Sequence, residues 1–297
     1  MLIDLAYVFT QSKIFGFPML RHLFSRGTVL AALFFASCVA NTWGLAAGLN
    51  DTGQTKCFDA GGGGVPCSST AGGDGSATPR QDARYGRDAA AAALQLVKVG
   101  AGSAGFDYTK IANDGSTLAA TATLGSNPGD WACTKDNVTG LTWEVKTTSG
   151  LRTNSYRYLW YSTDATRNGG NPGYATTNGF ADSCGNTLGT VVGASNACNT
   201  QTFAIAVNAA GMCGKRDWRL PTQNEILSLA HAGKTDHVGV DDTYFPNTLN
   251  SQSFWTSSTG ASDPSGIRIT ETYIASQARL VAKSEIQYFV RLVRNGP

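Results

Sequence analysis

The chain has 297 residues, with 23 Lys and Arg against 21 Asp and Glu and 42% hydrophobic positions. So even a balance gives no strong bulk field for a polyanionic duplex, and no nucleic-acid partner is expected. Residues 1–47 do not read as part of a fold. From Gly27 to Ala40 they are almost wholly apolar, through Val29, Leu30, Leu33, Phe34 and Phe35, with Arg21 and Arg26 ahead. A basic start, an apolar core of roughly 7–15 residues and small residues at its end describe a secretory signal peptide over 1–47, with Gly44-Leu45-Ala46 as the cleavage site. The run is shorter than the roughly 20 residues that span a bilayer. Met19 is a more natural start than Met1, since residues 1–18 lengthen the leader unusually. Phe35-Ala36-Ser37-Cys38 admits a second reading, a lipid anchor at Cys38, and this is the one membrane attachment the sequence suggests. The leader holds Lys13, Arg21 and Arg26 against Asp4, so 20 basic and 20 acidic residues follow it with no net charge. The expected location is exported: periplasm, cell surface or extracellular.

Six cysteines follow Cys38: Cys57, Cys67, Cys133, Cys184, Cys198 and Cys213. An even number behind a leader reads as disulfides in an oxidising compartment. Fifteen pairings are possible. Nearness in sequence favours Cys57–Cys67 and Cys184–Cys198, which leaves Cys133–Cys213. The rival is a metal site, but there is no C-x-x-C pair and only His231 and His237 follow the leader, so no metal and no cofactor is expected.

Residues 48–129 form a Gly-rich N-terminal extension. The run Gly61–Gly64 has no Lys-Ser/Thr behind it and is not a phosphate loop. Ala89 to Ala93, followed by Leu94, Leu96 and Val97, predicts a short helix capped by Asp88. Gly105 to Ile111 alternates as a strand, and Asn113-Asp114-Gly115 signals a turn.

From residue 130 to 297 the pattern is denser. Asp136 to Gly140 is a turn without the spacing of an EF-hand calcium loop, and Leu141 to Val145 alternates as a half-buried strand around Trp143. Tyr156, Tyr158, Trp160 and Tyr161 cluster ahead of a polar, Gly-rich surface excursion, 162–200. Such aromatics either form a platform for sugar rings or pack as the core beneath the loop. Asn199 or Thr200 caps a helix through Phe203 to Ala210 that ends at Gly211. The stretch Cys213 to Glu225 organises this region. Thr222 and Glu225 are spaced as a capping box, Pro221 blocks helix ahead of them, and Ile226, Leu227, Leu229 and Ala230 supply one apolar face over Trp218 and Leu220. Val238 to Pro246 reads as a turn plugged by Tyr244 and Phe245. Four short segments then predict an antiparallel meander: Phe254 to Ser258 with Trp255, Gly266 to Ile274, Ala278 to Lys283, and Tyr288 to Arg294. The last is expected as a central strand whose Arg291 reaches the Asp217 carboxylate. Asp217, Trp218, Arg219, Thr222, Glu225, Trp143, Trp255 and Arg291 are expected to be structural.

The runs Asp136-Asn137-Val138-Thr139-Gly140-Leu141-Thr142-Trp143-Glu144-Val145-Lys146, Asp217-Trp218-Arg219-Leu220-Pro221-Thr222 with Glu225, Tyr244-Phe245-Pro246, Trp255-Thr256-Ser257-Ser258 and Val290-Arg291-Leu292-Val293-Arg294, in that order, resemble the Lcl C-terminal domain family over about residues 130–295. That family takes its name from a bacterial collagen-like adhesin and was long catalogued as a domain of unknown function. The resemblance implies an α+β, C-type-lectin-like fold: two short helices with a twisted antiparallel sheet, here stapled by disulfides. Two departures matter. The chain has no Gly-X-Y collagen repeats, and it lacks the Glu-Pro-Asn or Gln-Pro-Asp triplet of calcium-dependent sugar binding.

The resemblance implies a secreted or surface-attached bacterial binding module, adhesin-like, for sulfated glycans or other polyanions. The residues expected to contact such a ligand are the cations Arg268, Arg279 and Lys283, with Tyr158 and Trp160 as stacking faces. A structural or protein-interaction subunit of a surface assembly is the alternative, so the expected partner is an extracellular glycan or a surface protein. An enzyme is the third reading. There is no G-x-S-x-G elbow and no H-E-x-x-H helix, although His231 near Asp236 and His237 is a conceivable acid–base cluster, and no enzymatic activity is expected.

Overall fold

The computed structural model describes residues 50–59, 61–67, 81–176, 198–234, 239–250, 252–271, 278–284 and 288–296, with Cys184 and Leu188. The expected leader, Cys38 and Met19 lie outside the described residues, as do Asp236, His237 and most of 177–197. Short strands assemble into antiparallel sheets: Tyr108–Ala112 alternates in burial, whereas Leu141–Glu144, expected to be half-buried, is buried at successive positions from Thr142 to Glu144 because both of its faces are covered. The larger sheet has five strands: β3 (Tyr108–Ala112), β4 (Thr117–Leu118), β5 (Trp131–Asp136), β6 (Leu141–Glu144) and β10 (Val293–Asn295), in the order β10-β6-β5-β3-β4. The second has three, β7 (Ser253–Thr259), β8 (Gly266–Glu271) and β9 (Ala278–Ala282), in chain order. β1 (Cys57–Phe58) and β2 (Gly64–Val65) form a small hairpin.

Three α-helices are described, α1 (Gly86–Ala92), α2 (Thr200–Ala210) and α3 (Gln223–Leu227), with 3-10 turns at Asp82–Arg84 and Met212–Gly214. The fold is therefore α+β with few helices, antiparallel sheets and three disulfides. It departs from the expected two helices and single sheet because the extension supplies α1 and because the C-terminal meander forms its own sheet. The extension is not separate: β3 pairs with β5 from Tyr108↔Asp136 to Ala112↔Trp131. No helix among the described residues is long and apolar enough to cross a membrane.

Residues 288–295 do not form the expected central strand of the meander. They cross between the sheets. Phe289 exchanges hydrogen bonds with Trp255 and Ser253 on β7, the Tyr288 carbonyl accepts from the Tyr158 amide, and Val293 pairs with Trp143 on β6. Arg219 bridges the other side of Val293 and covers that edge.

The three-stranded sheet separates two buried clusters. Alternate residues face opposite sides of a strand. Trp255, Ile267, Ile269 and Val281 therefore face one cluster, with Cys133, Tyr158, Trp160, Phe203, Cys213 and Trp218. Phe254 faces the other, with Phe106, Tyr108, Trp143, Tyr244, Phe245 and Ile226 of α3. The disulfides are Cys57–Cys67, Cys133–Cys213 and Cys184–Cys198, the pairs that sequence nearness favours.

Local chemistry explains the helix ends. Asn199 accepts from the Thr202 amide and opens α2, and Gly211 closes it at φ 69°. The capping box of α3 is complete: the Thr222 hydroxyl accepts from the Glu225 amide, and Glu225 accepts from the Thr222 amide at 2.7 Å. Glu225 also receives both Arg219 nitrogens, at 2.8 and 2.7 Å. Removing the cap hydroxyl in Thr222→Ala is expected to cost about 1 kcal/mol in urea melts. A loss indistinguishable from zero would mean that the Arg219–Glu225 pair alone fixes the start of this helix. Asp88 is not a cap, contrary to expectation. It sits inside α1, where its buried carboxylate accepts the Gly53 and Gly105 amides at 2.7 and 2.6 Å.

Candidate functional site

A groove of about 870 Å³ with mixed polar and apolar lining opens where the extension meets the rest of the fold. Four separate stretches build it: residues 113–128 of the extension, the loop 147–152, the end of α2 with its 3-10 turn, and Asn247. The Asn113 side-chain amide donates to the Gly125 and Asn127 carbonyls at 3.1 and 2.9 Å and fixes the first wall. Gly115 lets that wall lie against the 3-10 turn, since a Cβ there would stand 2.9 Å from the Cys213 carbonyl oxygen. Cys213 and Asn247 both hold left-handed backbone, at φ 52° and 61°. Such positions persist only where the surroundings over-determine them. Here the Cys133 disulfide holds the first, and the Asn247 side chain donates to the Lys146 carbonyl at 2.9 Å. Leu124, Leu151, Val207 and Met212 give the groove apolar surface among hydroxyls, amides and the guanidinium of Arg152.

Arg152 connects the groove to a buried charge cluster. Its Nη1 donates to the Ala132 and Val145 carbonyls at 2.7 and 2.9 Å. Glu144 is fully buried and receives Lys146 Nζ at 2.7 Å and the Leu292 amide at 2.9 Å. Arg291 donates to the Glu144 carbonyl at 2.8 Å and the Thr248 hydroxyl at 2.7 Å, and its guanidinium lies 5.3 Å from the Phe245 ring. Burial lowers the pKa of Lys146 to about 8 and that of Arg291 to about 10, against the opposing pull of Glu144. Burial also lowers that of Arg152, again opposed by Glu144. One carboxylate thus faces three cations, of which Arg152 lines the groove.

The residues expected to bind ligand do not converge. Tyr158 and Trp160 are 0% and 1% exposed and present no stacking face. They are core: Tyr158 packs on Phe203 at 4.8 Å, and the Trp160 indole donates to the Thr256 carbonyl at 2.9 Å. Lys283 is buried as well. Its ammonium lies 4.3 Å from the Trp160 ring and donates to the Asn168, Asn171 and Pro264 carbonyls, tying down the loop 164–171. Arg268 pairs in register with Leu280 and Arg279 with Ile269, so alternation sends the two arginines to opposite faces of the sheet. Arg279 is exposed and engages Glu271 at 3.5 Å and the Tyr288 hydroxyl at 3.3 Å.

The expected Arg291–Asp217 contact is replaced. Arg294 takes Asp217 at 2.7 and 3.1 Å and holds that carboxyl below its usual range, while Arg291 turns inward to Glu144. Positions 291 and 294 differ by an odd number, so one strand cannot present both to the same side. The expected structural positions Trp143, Trp218 and Trp255 are at most 2% exposed.

Two other groupings are chemically suggestive. Asp51, Asp82 and Asp88 bring one oxygen each within 4.8 Å of one another. Both Asp88 oxygens and both Asp51 oxygens already accept backbone amides, so this grouping ties loops together. Ser103, His231 and Asp241 line a smaller pocket of about 410 Å³. Here Ser103 Oγ donates to Asp241 at 2.8 Å and meets His231 Nε2 at 3.0 Å. A nucleophilic triad needs the imidazole between hydroxyl and carboxylate. With the serine in the middle and already donating to the acid, the imidazole does not activate it.

The groove residues lie far apart in sequence, and no spacing marks them. The local signals that fall on its walls are the Asn113-Asp114-Gly115 turn, the Gly211 stop of α2 and Cys213 in the 3-10 turn, and none of them marks a binding role. The Lcl C-terminal domain family model matches residues 132–294, more than half of the chain. No curated protein and no solved structure matches it.

Proposed function

From the membership of this chain in the Lcl C-terminal domain family, we propose that it is an exported or surface-attached binding module, adhesin-like and C-type-lectin-like in arrangement, whose groove takes an anionic, hydroxyl-rich polymer such as a sulfated glycan. The observation that carries this reading is the groove: a concavity of mixed polar and apolar lining with Arg152 on its wall and an excess of buried cations behind it. Hydroxyls and amides such as Ser126, Thr148 and Ser149 match sugar hydroxyls, and a half-buried guanidinium binds sulfate or carboxylate better than an exposed lysine. Three disulfides favour an oxidising compartment and agree with the apolar, arginine-flanked leader.

A protein-interaction role has its own support. Leu94, Val97 and Val99 are 94%, 91% and 86% exposed along one stretch after α1. Apolar side chains grouped on a surface mark contact sites. An enzymatic role has the weakest support, given the order of Ser103, His231 and Asp241.

The test is an array of neutral and sulfated glycans, including heparin-like polymers, with and without calcium and at two salt concentrations. Salt-sensitive binding to sulfated polymers is expected, because exposed ionic contacts weaken as salt shortens the Debye length. Calcium-dependent binding to neutral sugars alone, or no binding to any glycan, would overturn the proposal, and the latter would favour a protein partner at Leu94, Val97 and Val99.

A further inference from the structure

We propose that His231 is the titrating element of a latch that holds residues 50–59 and 81–106 of the extension against the rest of the fold at neutral pH and releases them on acidification. The geometry begins with Asp241. Its Oδ2 accepts both the hydroxyl and the amide of Ser103, at 2.8 and 2.9 Å. The serine hydroxyl, committed to the carboxylate, has its oxygen free to accept, so His231 Nε2 at 3.0 Å carries the proton. That leaves Nδ1 as a bare acceptor nitrogen. It is buried, has no hydrogen-bond partner among the described residues, and is covered by the main chain of Gly53, where a Cβ would stand 2.4 Å away.

The neutral ring therefore fits. An imidazolium would press a second N–H against the covered side, where the ring's own backbone offers some stabilisation that burial outweighs. An unpaired buried charge is strongly disfavoured, so the protonated ring must leave or its cover must lift. The cover is the extension. Gly53 lies on the ring, the Thr52 carbonyl accepts the Ala232 amide at 2.7 Å, the Asn50 side chain donates to the Ser228 carbonyl at 3.1 Å, and Phe106 packs on the imidazole at 5.2 Å.

The charged groups facing the ring are Asp241 and Asp88, which favour its protonation, and Lys234, which opposes it and pairs with Asp242 at 3.0 Å. Burial outweighs the two carboxylates and lowers the His231 pKa in the docked state. Released, the imidazole titrates near ~6.5. Docking is therefore complete above that value and weakens as pH falls towards the docked pKa. The opening equilibrium rises by up to ~10-fold per pH unit in this window, because release takes up one proton. Asp88, raised mainly by burial, gains its proton more readily when docked and works in the opposite sense at lower pH.

Hydrogen exchange of the full chain, corrected for intrinsic rates, tests this between about pH 7 and pH 5.5, spanning the ordinary imidazole range. His237→Gln serves as the background, so that one imidazole remains after the leader. Peptides covering 50–58 and 101–106 are expected to lose protection as pH falls, with up to ~10-fold more opening per unit. In His231→Phe, which keeps a ring against Phe106 and cannot titrate, that dependence is expected to vanish. Should this variant fail to fold, NMR titration of His231 replaces it, and the imidazole midpoint must coincide with the loss of protection. Protection that does not change with pH, an unchanged pH dependence in His231→Phe, or separate midpoints would overturn the proposal.

Discussion

Glu144→Ala is expected to destabilise the protein by about 3–5 kcal/mol, because it leaves the buried Lys146 ammonium without its carboxylate and removes the nearby counter-charge of Arg291. Lys146 and Arg291 are 3% and 2% exposed, and Glu144 supplies the ammonium of the first with its partner at 2.7 Å and holds the backbone of the second through the Leu292 amide. The rings of Phe203 and Phe245, at 4.6 and 5.3 Å from the two cations, soften the loss and do not replace a counter-charge. Guanidinium unfolding followed by tryptophan fluorescence and by circular dichroism measures the effect, with coincident transitions required before a free energy is quoted. A double variant, Glu144→Leu with Lys146→Met, separates the cost of the orphaned charge from that of the lost contacts. It is expected to recover much of the stability, since an apolar pair of similar volume replaces a buried ion pair at little cost. If Glu144→Ala loses less than about 1 kcal/mol, the cluster is more hydrated than its burial implies.

Trp218→Ala carries the second large expected loss, about 3–5 kcal/mol, from apolar area and the cavity left behind. Trp218 is 2% exposed beside the Cys133–Cys213 disulfide. Its indole donates to the Met212 carbonyl at 3.0 Å, and its backbone exchanges hydrogen bonds with the Asn208 side chain at 2.8 and 2.9 Å. The residue thus joins α2 through its backbone and the 3-10 turn through its indole. Trp218→Phe is expected to lose less, since the ring volume is partly kept while the indole hydrogen bond goes. A change below about 1 kcal/mol in Trp218→Ala would remove this residue from the centre of the fold.

The parts of the fold legible in the sequence are those that local chemistry decides. The Thr222–Glu225 capping box, the Asn199 cap, the Gly211 stop and the alternation of Tyr108 to Ala112 each depend on residues within four positions of one another. The disulfides followed sequence nearness. The ligand residues were chosen by type, and type does not report burial. Tyr158, Trp160 and Lys283 have the composition of a sugar platform, yet they are one packed unit in which a lysine stem crosses an indole and its ammonium finds three carbonyls. Arg268 and Arg279 looked like neighbours until register placed them on opposite faces. The strand assignment for 288–294 failed for a related reason. Alternation signals an extended chain, and it does not say which sheet the chain joins or that it passes from one to the other. The groove was invisible because residues 113–128, 147–152, 207–214 and Asn247 meet only after β3 has paired with β5 and the Cys133–Cys213 bridge has closed.

The most direct test of the groove as the binding site is a titration of a heparin-like polymer into the wild-type domain, Ser149→Trp and Arg279→Gln. Ser149 is exposed on the groove wall, so an indole there fills the concavity without disturbing the core, whereas Arg279 lies on the surface of β9. The account predicts that Ser149→Trp weakens binding by at least ~10-fold, about 1.4 kcal/mol, while Arg279→Gln stays within ~2-fold of wild type. Full affinity in Ser149→Trp with loss in Arg279→Gln would contradict it and place the ligand on the C-terminal sheet.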